Sequence, residues 1–168
     1  MENSLKESTS LFSNSRIFEV GHISHSLEPE EWKLSEPTQA DELSGTTIYE
    51  FFLGAGSKYE VKIQRPTRPS EKEVNVEFYA NGDRDNVTNE GYPLRVMATV
   101  ISIVKDFLQN NPDIDSFSFV PSMADPDDYR RLNLYLRYIK GHFDRPRISV
   151  NELGRGYVVV TVRLNTQI

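Results

Sequence analysis

The segment from residue 73 to residue 121 constrains the fold more than any other part of the chain. It opens with "EVNVEFYA", in which apolar and polar residues alternate as in a half-buried strand. It continues with "LRVMATVISIVKDFLQ", in which apolar residues recur at helical spacing, and then with "DSFSFVPS", which has the pattern of a short buried strand. A strand, a helix and a strand in one sheet imply a parallel pair joined by a right-handed crossover.

Two further pairs of strands flank this segment. Upstream, "TTIYEFFL" and "KYEVKIQ" lie on either side of residues 54–57, Gly-Ala-Gly-Ser, and have the composition and alternation of a hairpin. Downstream, strands are predicted at residues 146–151 and 156–164. With a second helix before the last hairpin, the predicted order is β-β-β-α-β-α-β-β. The predicted fold class is therefore α+β, with a mixed, mainly antiparallel sheet flanked by helices.

The stretch "RRLNLYLRYIKGHF", residues 130–143, predicts that second helix. Its apolar stripe consists of Tyr129, Leu132, Leu136, Ile139 and Phe143. Asp125 is expected as the N-cap, because its carboxylate can accept hydrogen bonds from the first turn. Tyr135 lies at the flank of the stripe, where a tyrosine can pack its ring and keep its hydroxyl at the surface.

The chain divides by composition at residue 45. Residues 1–45 are polar and contain two prolines, and they predict a loop-like segment with a short strand at residues 16–20. One helical turn is expected around residues 29–33, with Trp32 attaching the segment to the core. Residues 46–168 are predicted to form the folded α/β domain.

Composition excludes several classes of protein. The 168 residues include no cysteine, so disulfides, thiolate metal sites and cysteine nucleophiles are excluded. No apolar run approaches the roughly 18 residues that a membrane-spanning helix needs. The first residues lack the charged and apolar regions of a secretory signal. We therefore expect a protein that is made and used in a cytoplasm, or one that is carried in an assembled particle.

Charge is unevenly distributed along the chain, whose formal net charge is −6. Residues 1–91 carry 9 Lys/Arg and 17 Asp/Glu, whereas residues 92–168 carry 10 Lys/Arg and 8 Asp/Glu. The cations between residues 130 and 163 are interpreted as solvated side chains, with an anionic partner as the alternative. A sequence pI near 5.1 argues against a general nucleic-acid binder, so the expected partner is a protein.

The predicted order of elements and the stretch "LNLYLRYIKGHF" resemble the GNAT acetyltransferase fold over residues 46–165. In that family a three-strand meander leads into a helix whose N-terminus holds the pyrophosphate of coenzyme A. A strand, a second helix and a terminal hairpin follow. The second helix often carries a Leu-Tyr pair followed by Gly and Phe, and its tyrosine can protonate the leaving thiolate. The resemblance thus implies acetyl-CoA as cofactor and Tyr135 as the general acid.

The phosphate loop of the family has a different counterpart in this chain. The family pattern is R/Q-x-x-G-x-G/A, whose glycines let backbone N–H groups approach the pyrophosphate. Residues 89–95 read Asn-Glu-Gly-Tyr-Pro-Leu-Arg, so Gly91 and Arg95 are the candidate cofactor-binding residues. Pro93 has no N–H, and Glu90 brings a negative charge to the position of the phosphates. With this loop, no bound cofactor is expected.

Two functional hypotheses follow. The first, which we favour, is a GNAT-like interaction module that binds another protein and does not transfer acetyl groups. Residues 93–143 are also similar to small GNAT-like proteins of bacteriophages, which suggests a phage-type accessory or particle protein. The second is a divergent N-acetyltransferase that uses acetyl-CoA, with Tyr135 as acid and Glu77 or Asp85 as base. Under the first hypothesis, Tyr135 is a packing residue.

Histidines do not predict a metal site. His22 and His25 have a spacing that can share a metal on a helix, but their segment is not helical in pattern and no third ligand is evident. His142 lies at the end of the second predicted helix, where a partly positive imidazole is favoured by the helix dipole. No metal is therefore expected.

Overall fold

The computed structural model of the chain describes residues 28–54, 56–83, 93–121, 129–154 and 157–165. The described strands are Trp32–Leu34 (β1), Thr46–Leu53 (β2), Ser57–Gln64 (β3), Glu73–Ala80 (β4), Ser116–Phe119 (β5), Arg147–Glu152 (β6) and Val158–Arg163 (β7). The described helices are Gln39–Ser44 (α1), Pro93–Asn110 (α2) and Arg130–His142 (α3). The predicted α+β class is confirmed.

The seven described strands form one mixed sheet in the order β1-β2-β3-β4-β5-β7-β6. Only β4 and β5 are parallel, and α2 connects them as the sequence predicted. The other neighbours are antiparallel. The last strand, β7, pairs with both β5 and β6. The second strand of the terminal hairpin therefore lies inside the sheet, and the first strand, β6, lies at its edge.

One face of this sheet carries the apolar core. Along β3 and β4, Tyr59, Val61, Val74 and Val76 are buried, while the residues between them are more exposed. Side chains of α2 and α3 join the same cluster, as do alternate residues of β5 and β7. Both long helices therefore pack on this apolar face.

The opposite face is polar, and strand register defines its members. On β2–β4 the polar face includes Glu50, Lys58, Glu60, Lys62, Asn75, Glu77 and Tyr79. On β5–β7 it includes Ser116, Ser118, Thr161, Arg163, Arg147 and Ser149. The two parts differ in chemistry, since the first mixes both signs of charge, whereas the charged residues of the second part are arginines.

The predicted helical turn at residues 29–33 is wrong. Residues Trp32–Leu34 form β1, which pairs antiparallel with β2, and the Trp32 ring meets Tyr49 edge-on at a centroid distance of 5.3 Å. Burial of the indole against β2 stabilises extended backbone here, although the local pattern does not require it. The predicted strand at residues 16–20 lies outside the described residues, and the division of the chain at residue 45 stays a prediction.

The first turn of α3 also departs from the expectation. Tyr129 was assigned to the core stripe, but it precedes the helix and is 41% exposed, with its hydroxyl 3.3 Å from the Glu152 carboxylate. Leu132 and Ile139 are buried as predicted. The expected N-cap, Asp125, lies outside the described residues. In the described ranges no helix is both long and apolar enough to cross a membrane.

Candidate functional site

The parallel ladder between β4 and β5 ends early. It joins Glu73–Asn75 to Ser116–Ser118, three residue pairs, whereas β4 continues to Ala80. Between Val76 and Ala80, β4 has β3 on one side and no described strand on the other. This opening is the candidate site, and three predicted residues can be placed relative to it.

Glu77 lies on the part of β4 that borders the opening, with its side chain on the polar face. The Tyr79 hydroxyl donates to its carboxylate at 2.8 Å, and the Asn75 amide donates at 3.4 Å. The ammonium of Lys62 lies 4.7 Å from the centre of the Tyr79 ring. The candidate base is thus held in place by a hydrogen-bonded network on the polar face.

Tyr135 lies against the end of β5. Its ring meets Phe119, the last residue of that strand, edge-on at a centroid distance of 6.0 Å. Burial raises the pKa of the Tyr135 phenol, and the nearby Arg131 partly opposes the rise. The phenol therefore keeps its proton at neutral pH, which suits a packing residue and a proton donor equally.

Tyr138 does not share this environment. Its ring stacks on His142 at a centroid distance of 5.6 Å and an interplanar angle of 5°, near the end of α3. The Nδ1 atom of His142 lies 2.9 Å from the Tyr138 carbonyl. Of these two tyrosines of α3, Tyr135 is therefore the one whose ring contacts β5.

Arg95, in the first turn of α2, is already paired with an acid of the same chain. Its Nε atom lies 2.9 Å from a carboxylate oxygen of Glu30. The backbone N–H of Glu30 donates to the hydroxyl of Thr99 at 2.9 Å, and that hydroxyl donates to the Arg95 carbonyl at 2.9 Å. Thr99 is fully buried. These contacts hold residue 30 against the start of α2, so the cation proposed for a phosphate faces an internal carboxylate instead.

The sequence contained no signal for this contact. Glu30 and Thr99 are 69 positions apart, and Glu30 lies in a polar stretch with several other glutamates, from which its local sequence does not distinguish it. Pro93, in contrast, is the first residue of α2 as expected, and it contributes no N–H to the helix terminus. Gly91 and Asp85 lie outside the described residues, as do His22 and His25. Among the residues described, no three His, Asp or Glu side chains gather as a metal site.

A network of ion pairs covers the β2–β3 part of the polar face. The Lys58 ammonium lies 2.5 Å from Glu50 and 3.3 Å from Glu60, and Lys33 approaches Glu50 at 3.7 Å. Hydrogen bonding to Lys58 holds the pKa of Glu50 below its ordinary value. The side chain of Glu50 is largely covered, so this pair is more than a loose surface contact.

An open cavity of 510 Å³ lies at the other end of β4, away from the opening. Its lining includes Gln64, Glu73, Asn75 and Ser118 from the strands and Arg65 from the following loop. Arg65 itself is bound to Asp113 at 3.0 Å and to Asn111. The cavity therefore has charged side chains in its described lining, and the one cation there, Arg65, already has partners, which does not favour a small apolar ligand.

Comparison with known proteins adds one structure. No family model matches the chain, and no curated protein matches it. The crystal structure of a Bacillus subtilis acetyltransferase in complex with CoA is similar over 81% of this chain and 99% of that chain, with 11% identity and a TM-score of 0.43. Among the described residues, a meander, a helix, a parallel strand, a second helix and a terminal hairpin follow one another, which is the α+β order predicted from the sequence.

Proposed function

We propose that this protein is a non-catalytic GNAT-like module that binds another protein. The observation that carries the proposal is the contact between Arg95 and Glu30 at the start of α2. A cofactor phosphate at this helix terminus would have to displace a carboxylate that the backbone bond from Glu30 to Thr99 holds in place. Displacement would cost an ion pair and a partly buried hydrogen bond together.

Two further features support the same proposal. Pro93 removes one donor from the helix terminus that would face the phosphates. Glu77 has Tyr79 and Asn75 as hydrogen-bond partners within the chain, so its carboxylate oxygens are already engaged and a substrate amine would have to compete for them. The role of a phage-type accessory or particle protein, suggested by the sequence resemblance, belongs to this proposal.

A second candidate function is acetyl-CoA-dependent N-acetyl transfer. The observation that favours it is the position of Glu77 and Tyr135 about the opening between β4 and β5. A carboxylate on β4 and a protonated phenol against the end of β5 are the two groups that amine acetylation needs, one to accept a proton and one to return it.

Calorimetric titration of acetyl-CoA separates the two candidates. We expect no binding by the natural protein and weak binding by Glu30→Gln, in which Arg95 loses its acidic partner. Glu28→Gln is the matched control, because it removes the same charge from an exposed neighbouring position. Micromolar binding by the natural protein, with turnover that Tyr135→Phe and Glu77→Gln both abolish, would contradict the interaction module and support the acetyltransferase.

A further inference from the structure

The strand β6 ends the described sheet and presents an open edge. It pairs with β7 on one side, and among the described residues no strand pairs with the other. Five of its six residues are exposed, and Val150 is 43% exposed. Proteins usually protect an edge of this length with a bulge, an internal proline or a covering element, since the free N–H and C=O groups can pair with another chain. Along Arg147–Glu152 no described element gives that protection.

Two arginines face each other at the start of this edge. Arg147 on β6 and Arg163 on β7 are direct cross-strand partners, so both side chains lie on the polar face. Like charges in this position destabilise a sheet. Ser116 on β5 is the next residue in the row, and Glu73 on β4 follows beyond it without forming an ion pair with Arg163. Arg145 adds a third exposed cation two residues before β6.

Several cations in the described part of the chain have an acid beside them, and these three arginines do not. Lys58, Arg65 and Arg95 each lie within 3.0 Å of a carboxylate oxygen. Within the described ranges no carboxylate lies within ion-pair distance of Arg145, Arg147 or Arg163. The chain has more acidic than basic residues, with a net charge of −6, and yet no described acid forms an ion pair with these three arginines. An anionic group from outside would relieve the repulsion between Arg147 and Arg163.

We propose that the outer edge of β6 binds an extended acidic segment of a partner protein as an added strand. Its carboxylates would lie on the polar face beside Arg147 and Arg163, and its backbone would pair with β6. A polypeptide fits better than a nucleic acid, because only a polypeptide can use the row of backbone donors and acceptors. The inference rests on the proposed function and names the surface that performs it.

The helix-covered side of β6 indicates which other side chains the added strand would carry. Val150 and the ring of Tyr129 are both exposed on the helix-covered side, and the Tyr129 hydroxyl reaches Glu152 at 3.3 Å. An added strand would therefore place apolar side chains beside Val150 and Tyr129, and acidic ones on the opposite side. Glu152 repels an acid at the far end of β6, so the recognised carboxylates belong near Arg147.

A fluorescein-labelled, capped peptide of alternating Asp and Val tests the proposal by fluorescence anisotropy. We expect the natural full-length chain to bind it, and Arg147→Glu/Arg163→Glu to bind it at least about ten-fold more weakly. That variant has two negative charges opposite each other where the natural protein has two positive charges, so we expect a similar repulsion and a similar stability of the folded state. Arg137→Glu, an exposed cation on α3, is the control and is expected to leave the Kd within about two-fold.

Hydrogen exchange distinguishes strand addition from simple attraction of charge. The amides of β6 that point away from β7 should exchange fast in the free protein and become protected when the peptide is bound. Protection of these outward-pointing amides in the free protein would mean that the edge is occupied, and binding without their new protection would mean that no strand is added. Either result overturns the proposal.

Two probes separate the proposal from its alternatives. Equal binding of a Lys-Val peptide, or no binding of the Asp-Val peptide, would also overturn it. Tighter binding of a fluorescein-labelled single-stranded oligonucleotide with the same arginine dependence would assign the surface to nucleic acid. All these results leave the interaction module itself standing, because that proposal fails only if acetyl-CoA binds and is turned over.

Discussion

At the scale of the residue, the ring and the hydroxyl of Tyr135 have separable roles. Tyr135→Phe keeps the edge-on contact with Phe119, so we expect the free energy of unfolding to change by less than about 0.5 kcal/mol. Tyr135→Ala removes the ring and should cost about 2 to 3 kcal/mol. Urea denaturation measures both. A loss above about 1 kcal/mol in Tyr135→Phe would mean that the hydroxyl has a structural hydrogen bond.

The ion pair between Glu50 and Lys58 predicts a dependence of stability on pH. Lys58 lowers the folded pKa of Glu50 below its ordinary 4.5, so this stabilisation is complete above pH 4.5 and is lost as the pH falls through the folded value. Glu50 raises the folded pKa of Lys58 above 10.5, so that contribution is lost only as the pH rises beyond 10.5.

Lys58→Met should therefore flatten the acid side of the stability profile. We expect its free energy of unfolding to fall less than that of the natural protein between about pH 5 and about pH 3. Some dependence persists, because Lys33 also approaches Glu50. Urea melts at several pH values measure the difference. Lys140→Met, on the exposed side of α3, is the control, and an equal flattening there would refute the assignment to Glu50.

At the scale of the element, one buried hydroxyl fastens the segment before β1 to α2. Thr99→Val keeps the shape of the side chain but leaves the Glu30 N–H without its acceptor. We expect a loss of about 1 to 2 kcal/mol in the free energy of unfolding and faster exchange of the Glu30 amide. Ser102→Ala, on the same helix, should change neither by as much. Unchanged exchange at Glu30 in Thr99→Val would show that Arg95 alone holds the segment.

Strong local patterns were sufficient to predict most elements. The alternation in residues 58–64 and 73–80 predicts strands that the structure has as Ser57–Gln64 and Glu73–Ala80. The short strand β1 was missed, since three residues have no period of their own and depend on β2 and the Trp32 ring. Local pattern predicts an element whose own residues favour its conformation. It does not predict an element such as β1, whose conformation depends on contact with one particular partner.

The candidate site was predicted only in part, for a related reason. Tyr135 and Glu77 could be named because they lie on elements whose order was predictable. The early end of the β4–β5 ladder and the contact of Arg95 with Glu30 depend on side chains that meet across the fold. Nothing in the residues near either position distinguishes them in the sequence.

At the scale of the whole molecule, stability should fall from one side of the sheet to the other. Eight residue pairs join β2 to β3, and alternate residues there are buried, whereas β6 is an exposed edge. We expect amides of β2 and β3 to exchange only on global unfolding and those of β6 through smaller openings. Native-state exchange in increasing denaturant measures this order, and uniform protection across the sheet would contradict it.

The position of β7 has a consequence for synthesis. Because β7 lies between β5 and β6, neither strand can complete its pairing until residues Val158–Arg163 have left the ribosome. The meander of β2, β3 and β4 can form from neighbouring residues long before that. A nascent chain of this protein thus carries an unfinished half-sheet until β7 has emerged, and a truncation that removes β7 would leave β5 and β6 without the strand that joins them.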